Sequence, residues 1–289
     1  MHLAPLTRLA TEQPNPRSAR LDELPVRELL RVINREDATV AAAVAQAIPE
    51  IARVVLAVAQ RLARGGRLFY IGAGTSGRLG CVDASEMPPT YGVPPKLVQG
   101  IIAGGYEALL RSMEGAEDDG AAGSRDIAAR QVTKRDAVIG LSVSGRARYV
   151  REALREAQRR GAFTACITCN RNSALIPCAQ VAIVAATGPE VVAGSTRMKA
   201  GTAQKMILNM ISTATMVRLG RVQGNRMVDL QIKCAKLRER ARNLVMEETG
   251  ATAAEALKEL AAQGGSVRKA IAALTQRKKG RLTRSLRVK

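Results

Sequence analysis

Between residues 68 and 186 the chain alternates five short apolar runs (68–71, 97–103, 137–143, 164–169 and 181–186) with segments of helical pattern such as 108–116 and 149–160. Short continuous apolar runs fit strands buried on both faces, and helices between them are the crossovers that parallel strands need. The alternation predicts an α/β fold, a three-layer α-β-α sandwich around a five-stranded parallel sheet. Upstream, Leu21, Leu24, Val26, Leu29, Leu30 and Ile33 read as one helical apolar stripe, and 40–62 as another, broken by Gly65 and Gly66. Downstream, a long helix is expected over about 196–219, stopped by Gly220, and another over 235–248. A small helical unit should close the chain, with Thr252 capping 253–262 and Ser266 capping 267–274. The expected organisation is a helical N-terminal arm (1–60), an α/β domain (61–240) and a helical C-terminal appendage with a basic tail (241–289).

Composition removes several chemistries. The only histidine among 289 residues is His2, next to the terminus, which argues against histidine zinc sites and Ser-His-Asp triads. Proton transfer must then use carboxylates, lysines or tyrosines. Five cysteines, an odd number, do not suggest a disulfide framework. Cys166 and Cys169 match C-x-x-C, but a three-residue offset on a strand points them to opposite faces. Neither a metal nor another cofactor is expected. No apolar leader follows Met1, and the most apolar window, 40–59, is interrupted by Gln46, Pro49, Glu50 and Arg53. It reads as an amphipathic helix pair rather than a membrane span, so a cytoplasmic protein without a membrane partner is expected. The formal charge of +20 calls for an anionic partner. No reading helix or aromatic platform accompanies that charge, so a specific nucleic acid is not expected.

The stretch "LFYIGAGTSGRLG" contains a literal G-x-G-x-x-G, from Gly72 to Gly77, after the first strand. A dinucleotide site would place an acid at the tip of the second strand. Here that run ends in Gly104, Gly105 and Tyr106. The turn instead carries Thr75 and Ser76, with Gly77 and Arg78 beside them, hydroxyls suited to a terminal phosphate. Two further turns share the pattern: Ser142, Ser144 and Arg146 after the third strand, and Ser195, Thr196, Arg197 and Lys199 opening the long helix. Each combines backbone N–H groups, a helix N-terminus and a basic side chain. Serine and threonine there can also be simple N-caps; three such turns together favour a sugar-phosphate site. Among the acids, Glu86 is expected just past the first helix, pinned by Pro88 and Pro89. Glu117 is expected to close a helix in "SMEGAEDDG", and Glu190 precedes the third turn.

These residues resemble a known family, the N-acetylmuramic acid 6-phosphate etherases. The resemblance rests on "YIGAGTSGRLGCVDASEMPPTYGVPP", "IIAGGYEAL…MEGAEDD", "SVSGRARYV" and "GPEVVAGSTRMKAGTAQKMILNMISTATMVRLGRVQGNRMVDL", and covers nearly the whole chain. It implies a sugar isomerase-type (SIS) domain, a homodimer with sites near the subunit contact, and a role in recycling cell-wall amino sugars. By motif position it implies Glu86 and Glu117 as the catalytic carboxylates; the three turns, with Glu190 just before the third, are the candidate substrate contacts read from the residues themselves. The implied reaction converts an amino sugar 6-phosphate carrying a D-lactyl ether to N-acetylglucosamine 6-phosphate and D-lactate. Two other readings share the fold: an aldose–ketose isomerase and a non-catalytic sugar-phosphate sensor. The sequence departs from the family pattern at Met87, at Ala147 and Arg148 (where Thr-Pro is usual), and at Ile232, Lys233 and Cys234.

Overall fold

The sheet forms where the apolar runs predict it. In the computed structural model, which describes residues 5–229, 232 and 235–286, short 3-10 turns lead to α1 (Val26–Asp37), α2 (Val40–Ala45) and α3 (Ile48–Ala63). Then β1 (Leu68–Gly72) runs into α4 (Gly74–Tyr91), and β2 (Val98–Ile102) into α5 (Glu107–Leu110) and α6 (Gly120–Ala129). Next come β3 (Ala137–Leu141), α7 (Arg148–Arg159), β4 (Phe163–Thr168), β5 (Val181–Val184) and α8 (Lys199–Arg218). All five strands are parallel, in the order β2-β1-β3-β4-β5.

Helices cover both faces of the sheet. Phe69, Ile71, Val138 and Cys166 join Ile127, Tyr149, Val150 and Leu154 of α6 and α7 in one core. On the other face α3 packs on β3, β4 and β5. There Gly80 of α4 lies so close to Tyr70 and Leu141 that a Cβ would come within 3.0 Å of both. The thiols of Cys166 and Cys169 are buried, and burial pushes both up to about 12.

The chain divides into two compact units, Met1–Ser85 with Pro95–Thr215, and Glu86–Pro94 with Met216–Lys289. The N-terminal arm belongs to the first. In the second, the hairpin β6 (Val222–Gln223) and β7 (Arg226–Met227) precedes α9 (Ala235–Thr249), α10 (Ala253–Ala262) and α11 (Val267–Leu286). A capping box between Thr252 and Glu255 starts α10, and Leu244, Val245, Leu260 and Val267 pack the helices together. Among the described residues no single helix is long and apolar enough to cross a membrane.

Four expectations need correction. The expected stripe starts in a 3-10 turn, Leu21–Glu23, rather than a helix, and on α1 Leu29 and Ile33 are half-buried while Val26 and Leu30 are exposed. The helix expected over 108–116 ends at Leu110, because the Arg78 guanidinium takes the carbonyls of Leu109 (3.3 Å) and Arg111 (2.8 Å) and turns the chain. Pro88 and Pro89 lie within α4 rather than ending it, so Glu86 is a helical residue. The tail is partly structured, since α11 continues to Leu286 and Arg277 pairs with buried Glu259 at 2.6 Å. His2, Lys233, Cys234 and residues 287–289 lie outside the described residues.

Candidate active site

The strand order reverses between β1 and β3, because the chain leaves β1 to pair on one side with β2 and returns on the other as β3. In open α/β sheets, ligands bind at such a switch point, outside the carboxyl ends of the strands. Gly72 and Leu141 end β1 and β3 in register with one another, so the first two hydroxyl turns emerge side by side there.

The first turn is shaped by close packing. A Cβ on Gly77 would sit 2.8 Å from Gly72 O and 2.6 Å from Ile102 Cγ1, so only glycine lets α4 start directly against the strand end. Gly74 has φ +52°, which glycine adopts without strain. The first-turn amides of α4 have no acceptor within the helix and form the positive end of its dipole. Ser76 is buried and its Oγ lies 2.8 Å from Gln204 Oε1 of α8. Thr75 Cγ2 is 3.7 Å from the Cβ position of Gly201, so the first turn also meets the opening of α8.

In the second turn, Ser142 Oγ accepts from Gly145 N at 3.1 Å and Ser144 Oγ from Arg146 N at 3.2 Å. Both hydroxyls can still donate outward. Gly145, at φ +72°, packs against Ser173, where a Cβ would meet Oγ at 1.8 Å. In the third turn Ser195 and Thr196 are half-buried and Arg197 is exposed.

Two residues expected to touch substrate are otherwise committed. Lys199 is buried with its Nζ 2.6 Å from Glu36 Oε2, so its charge is spent inside the fold. Glu190 is also buried, and its oxygens accept from Lys199 N and Ala200 N, each at 2.9 Å, capping α8. Desolvation nevertheless raises the Glu190 pKa against those hydrogen bonds. The same network holds the arm. Asn15 Nδ2 donates to Glu36 at 2.8 Å and to Pro189 O at 3.4 Å, and Ser18 Oγ donates to Val191 O at 2.7 Å. Residues 15–36 thus strap the segment that carries the third turn.

Glu117 sits in a 3-10 turn, Ala116–Asp118, at a cleft of about 320 Å³ shared with Gly74, Arg78, Ala103 and Ser112. Its side chain is accessible from solvent. Desolvation first, then the negative charges of Asp118 and Glu114, push its carboxyl above the usual glutamate range. A carboxylate so placed is a stronger base than a free glutamate once ionised. Arg78 lines the cleft, and by gripping the carbonyls of Leu109 and Arg111 it also folds the loop that carries Glu117. Glu86 is exposed on α4, the helix whose N-terminus forms the first turn.

Sequence reasoning missed Gln204 and Glu36. Ala200, Ala203, Ile207, Leu208 and Ile211 make the buried stripe of α8, and Gln204 is the polar residue in its midst. That misfit at helical spacing was a readable signal. Glu36 offered none, because its partner lies 163 residues away.

A parallel sheet of this order with hydroxyl turns at its switch point defines a SIS-domain protein. Residues 50–158 match the glucokinase regulatory protein N-terminal SIS domain, and residues 120–214 match the SIS domain. A phosphoheptose isomerase from Francisella tularensis shares the fold at TM-score 0.54, covering 67% of this chain and all of that one at 16% identity. The E. coli CFT073 protein c3406, solved in complex with A5P, does so at TM-score 0.51, with 70% and 97% covered and 16% identity. Much nearer in sequence is the N-acetylmuramic acid 6-phosphate etherase of Symbiobacterium thermophilum, 54% identical over 93% of this chain and 89% of that protein. The etherase of Aeromonas hydrophila is 52% identical over 89% of this chain and 86% of its own length. The chain belongs to the N-acetylmuramic acid 6-phosphate etherase family.

Proposed function

We propose that the protein is a carbon–oxygen lyase that cleaves the D-lactyl ether of N-acetylmuramic acid 6-phosphate, giving N-acetylglucosamine 6-phosphate and D-lactate. The observation that carries this reading is identity of about half along nearly the full chain to proteins of that name. In the ring-opened sugar the C2 proton is acidic because it lies beside the C1 aldehyde. Glu117, a carboxylate of raised basicity at an open cleft, removes that proton. The C3–O bond then breaks, and Glu86 protonates the departing lactate oxygen. Glu86 next takes a proton from a water that adds at C3 of the unsaturated intermediate, and protonated Glu117 returns a proton to C2. Ser76, Ser144, Ser195 and Thr196 bind the phosphate, with Thr75, Ser142, Arg146 and Arg197 around them. Two carboxylates suffice for both proton transfers, in keeping with a chain that has one histidine.

The active form in this reading is a homodimer in the cytoplasm, serving the recycling of cell-wall amino sugars. Val26 and Leu30 on α1, with Ile48 and Leu56 on α3, are large apolar side chains exposed on a single chain, as a subunit contact would require. The test is to incubate the purified protein with N-acetylmuramic acid 6-phosphate and assay D-lactate. Stoichiometric D-lactate is expected. Conversion of the substrate to a ketose without lactate would mark an isomerase instead.

A further inference from the structure

Gln204 is fully buried on α8, and its amide nitrogen Nε2 has no hydrogen-bond partner among the described residues. Its other end, Oε1, faces Ser76 Oγ at 2.8 Å. In that arrangement the serine proton is held by the amide, and Ser76 offers only lone pairs to an incoming phosphate, whose oxygens are acceptors too. Turning the amide by 180° exchanges two atoms of nearly equal size. Nε2–H then donates to Ser76 Oγ, the stranded donor is satisfied, and the serine O–H is free to point outward. The turn keeps one hydrogen bond to Ser76 and leaves Oε1 instead of Nε2 as the unpartnered amide atom, and it converts Ser76 from acceptor to donor.

We propose that Gln204 is a positioning residue for phosphate recognition. By donating to Ser76 Oγ it sets the serine hydroxyl as a donor to a phosphate oxygen. It also ties the first hydroxyl turn to α8, the helix that the third turn opens. The proposal rests on the sugar-phosphate reading above and adds to it a residue that never touches the ligand.

The test is a double-mutant cycle on affinity for N-acetylglucosamine 6-phosphate, using Ser76→Ala, Gln204→Met and the pair. Ser76→Ala should weaken binding about 10- to 100-fold, the range for a hydrogen bond to a charged group. Gln204→Met should weaken it several-fold, and the pair should lose no more than Ser76→Ala alone, because the two act through one hydroxyl. A second variant, Gln204→Leu, likewise can neither donate to Ser76 nor accept from it and should weaken binding to the same extent as Gln204→Met. In turnover the Gln204 variants should raise KM far more than they lower kcat. Melting curves identify any variant that does not fold, and either Gln204 variant alone then decides the matter. Wild-type affinity in a folded Gln204 variant, or losses that add in full to those of Ser76→Ala, would overturn the proposal. Unchanged affinity in Ser76→Ala would overturn the phosphate assignment of this turn, and the proposal with it.

Discussion

Lys199 Nζ lies 2.6 Å from Glu36 Oε2, with both side chains buried, and this pair fastens the N-terminal arm to the start of α8. Burial alone would raise the Glu36 pKa, but hydrogen bonds from Lys199, Asn15 and Arg17 outweigh it and hold the carboxyl below the usual range. Removing one partner leaves a buried charge, so Lys199→Met should cost about 3–5 kcal/mol in chemical denaturation. The double variant Lys199→Met with Glu36→Leu should recover part of that loss, since the buried Asn15 amide then loses its carboxylate acceptor. Because the folded pKa is depressed, this stabilisation is complete above the unfolded value near 4.5 and lost as pH falls through the folded one. Denaturation midpoints measured across that window should fall accordingly in the wild type.

Close packing between Gly72 and Gly77 makes a second expectation. Gly77→Ala puts a methyl 2.8 Å from the Gly72 carbonyl and 2.6 Å from Ile102 Cγ1. The helix must move off the strand end, at a cost of about 1–3 kcal/mol. Phosphate binding at the first turn should weaken in the same variant, which calorimetric titration with N-acetylglucosamine 6-phosphate would register.

At the start of α7 the departure from the family pattern leaves Ala147 as an N-cap without a side-chain hydrogen bond. Arg148 is the first helical residue and is exposed, and Ala147 already has the extended ψ of 108° that a following proline requires. Arg148→Pro should therefore stabilise the protein by about 0.4–1 kcal/mol, mainly by restricting the unfolded chain. A thermal melt checks it, and a lower melting temperature would contradict the expectation.

If Glu117 is the base, the acid limb of kcat/KM against pH reports its ionisation in the free enzyme. That limb should lie above the ordinary glutamate value, since desolvation, Asp118 and Glu114 all raise its pKa. Activity then falls as pH drops through the raised value. Asp118→Asn removes one of the repelling charges and should move the limb downward.

The strands were legible because each is a short apolar run buried on both faces, and Phe69, Ile71 and Val138 behave as such runs should. The small helical unit was legible from its caps, Thr252 and Glu255 above all. Less legible was whatever depends on distant partners. The sequence of 108–116 favours a helix, yet Arg78, some thirty residues earlier, claims its carbonyls. Lys199 looks like an anion ligand until Glu36 is found beside it. Pro88 and Pro89 look like a stop, and the helix absorbs them. At the candidate site the hydroxyl turns could be read from residue type and spacing. Behind them, Gln204 stood out only as a polar misfit in the buried stripe of α8, and nothing in the sequence showed that Glu190 accepts from the α8 amides.

The most direct test of the proposed chemistry is to run one turnover of N-acetylmuramic acid 6-phosphate in heavy-oxygen, deuterated water and weigh both products. Elimination followed by hydration predicts deuterium at C2 and the solvent oxygen at C3 of N-acetylglucosamine 6-phosphate, with D-lactate keeping its own ether oxygen. Solvent oxygen in the lactate, or a sugar that retains its original C2 hydrogen, would contradict it.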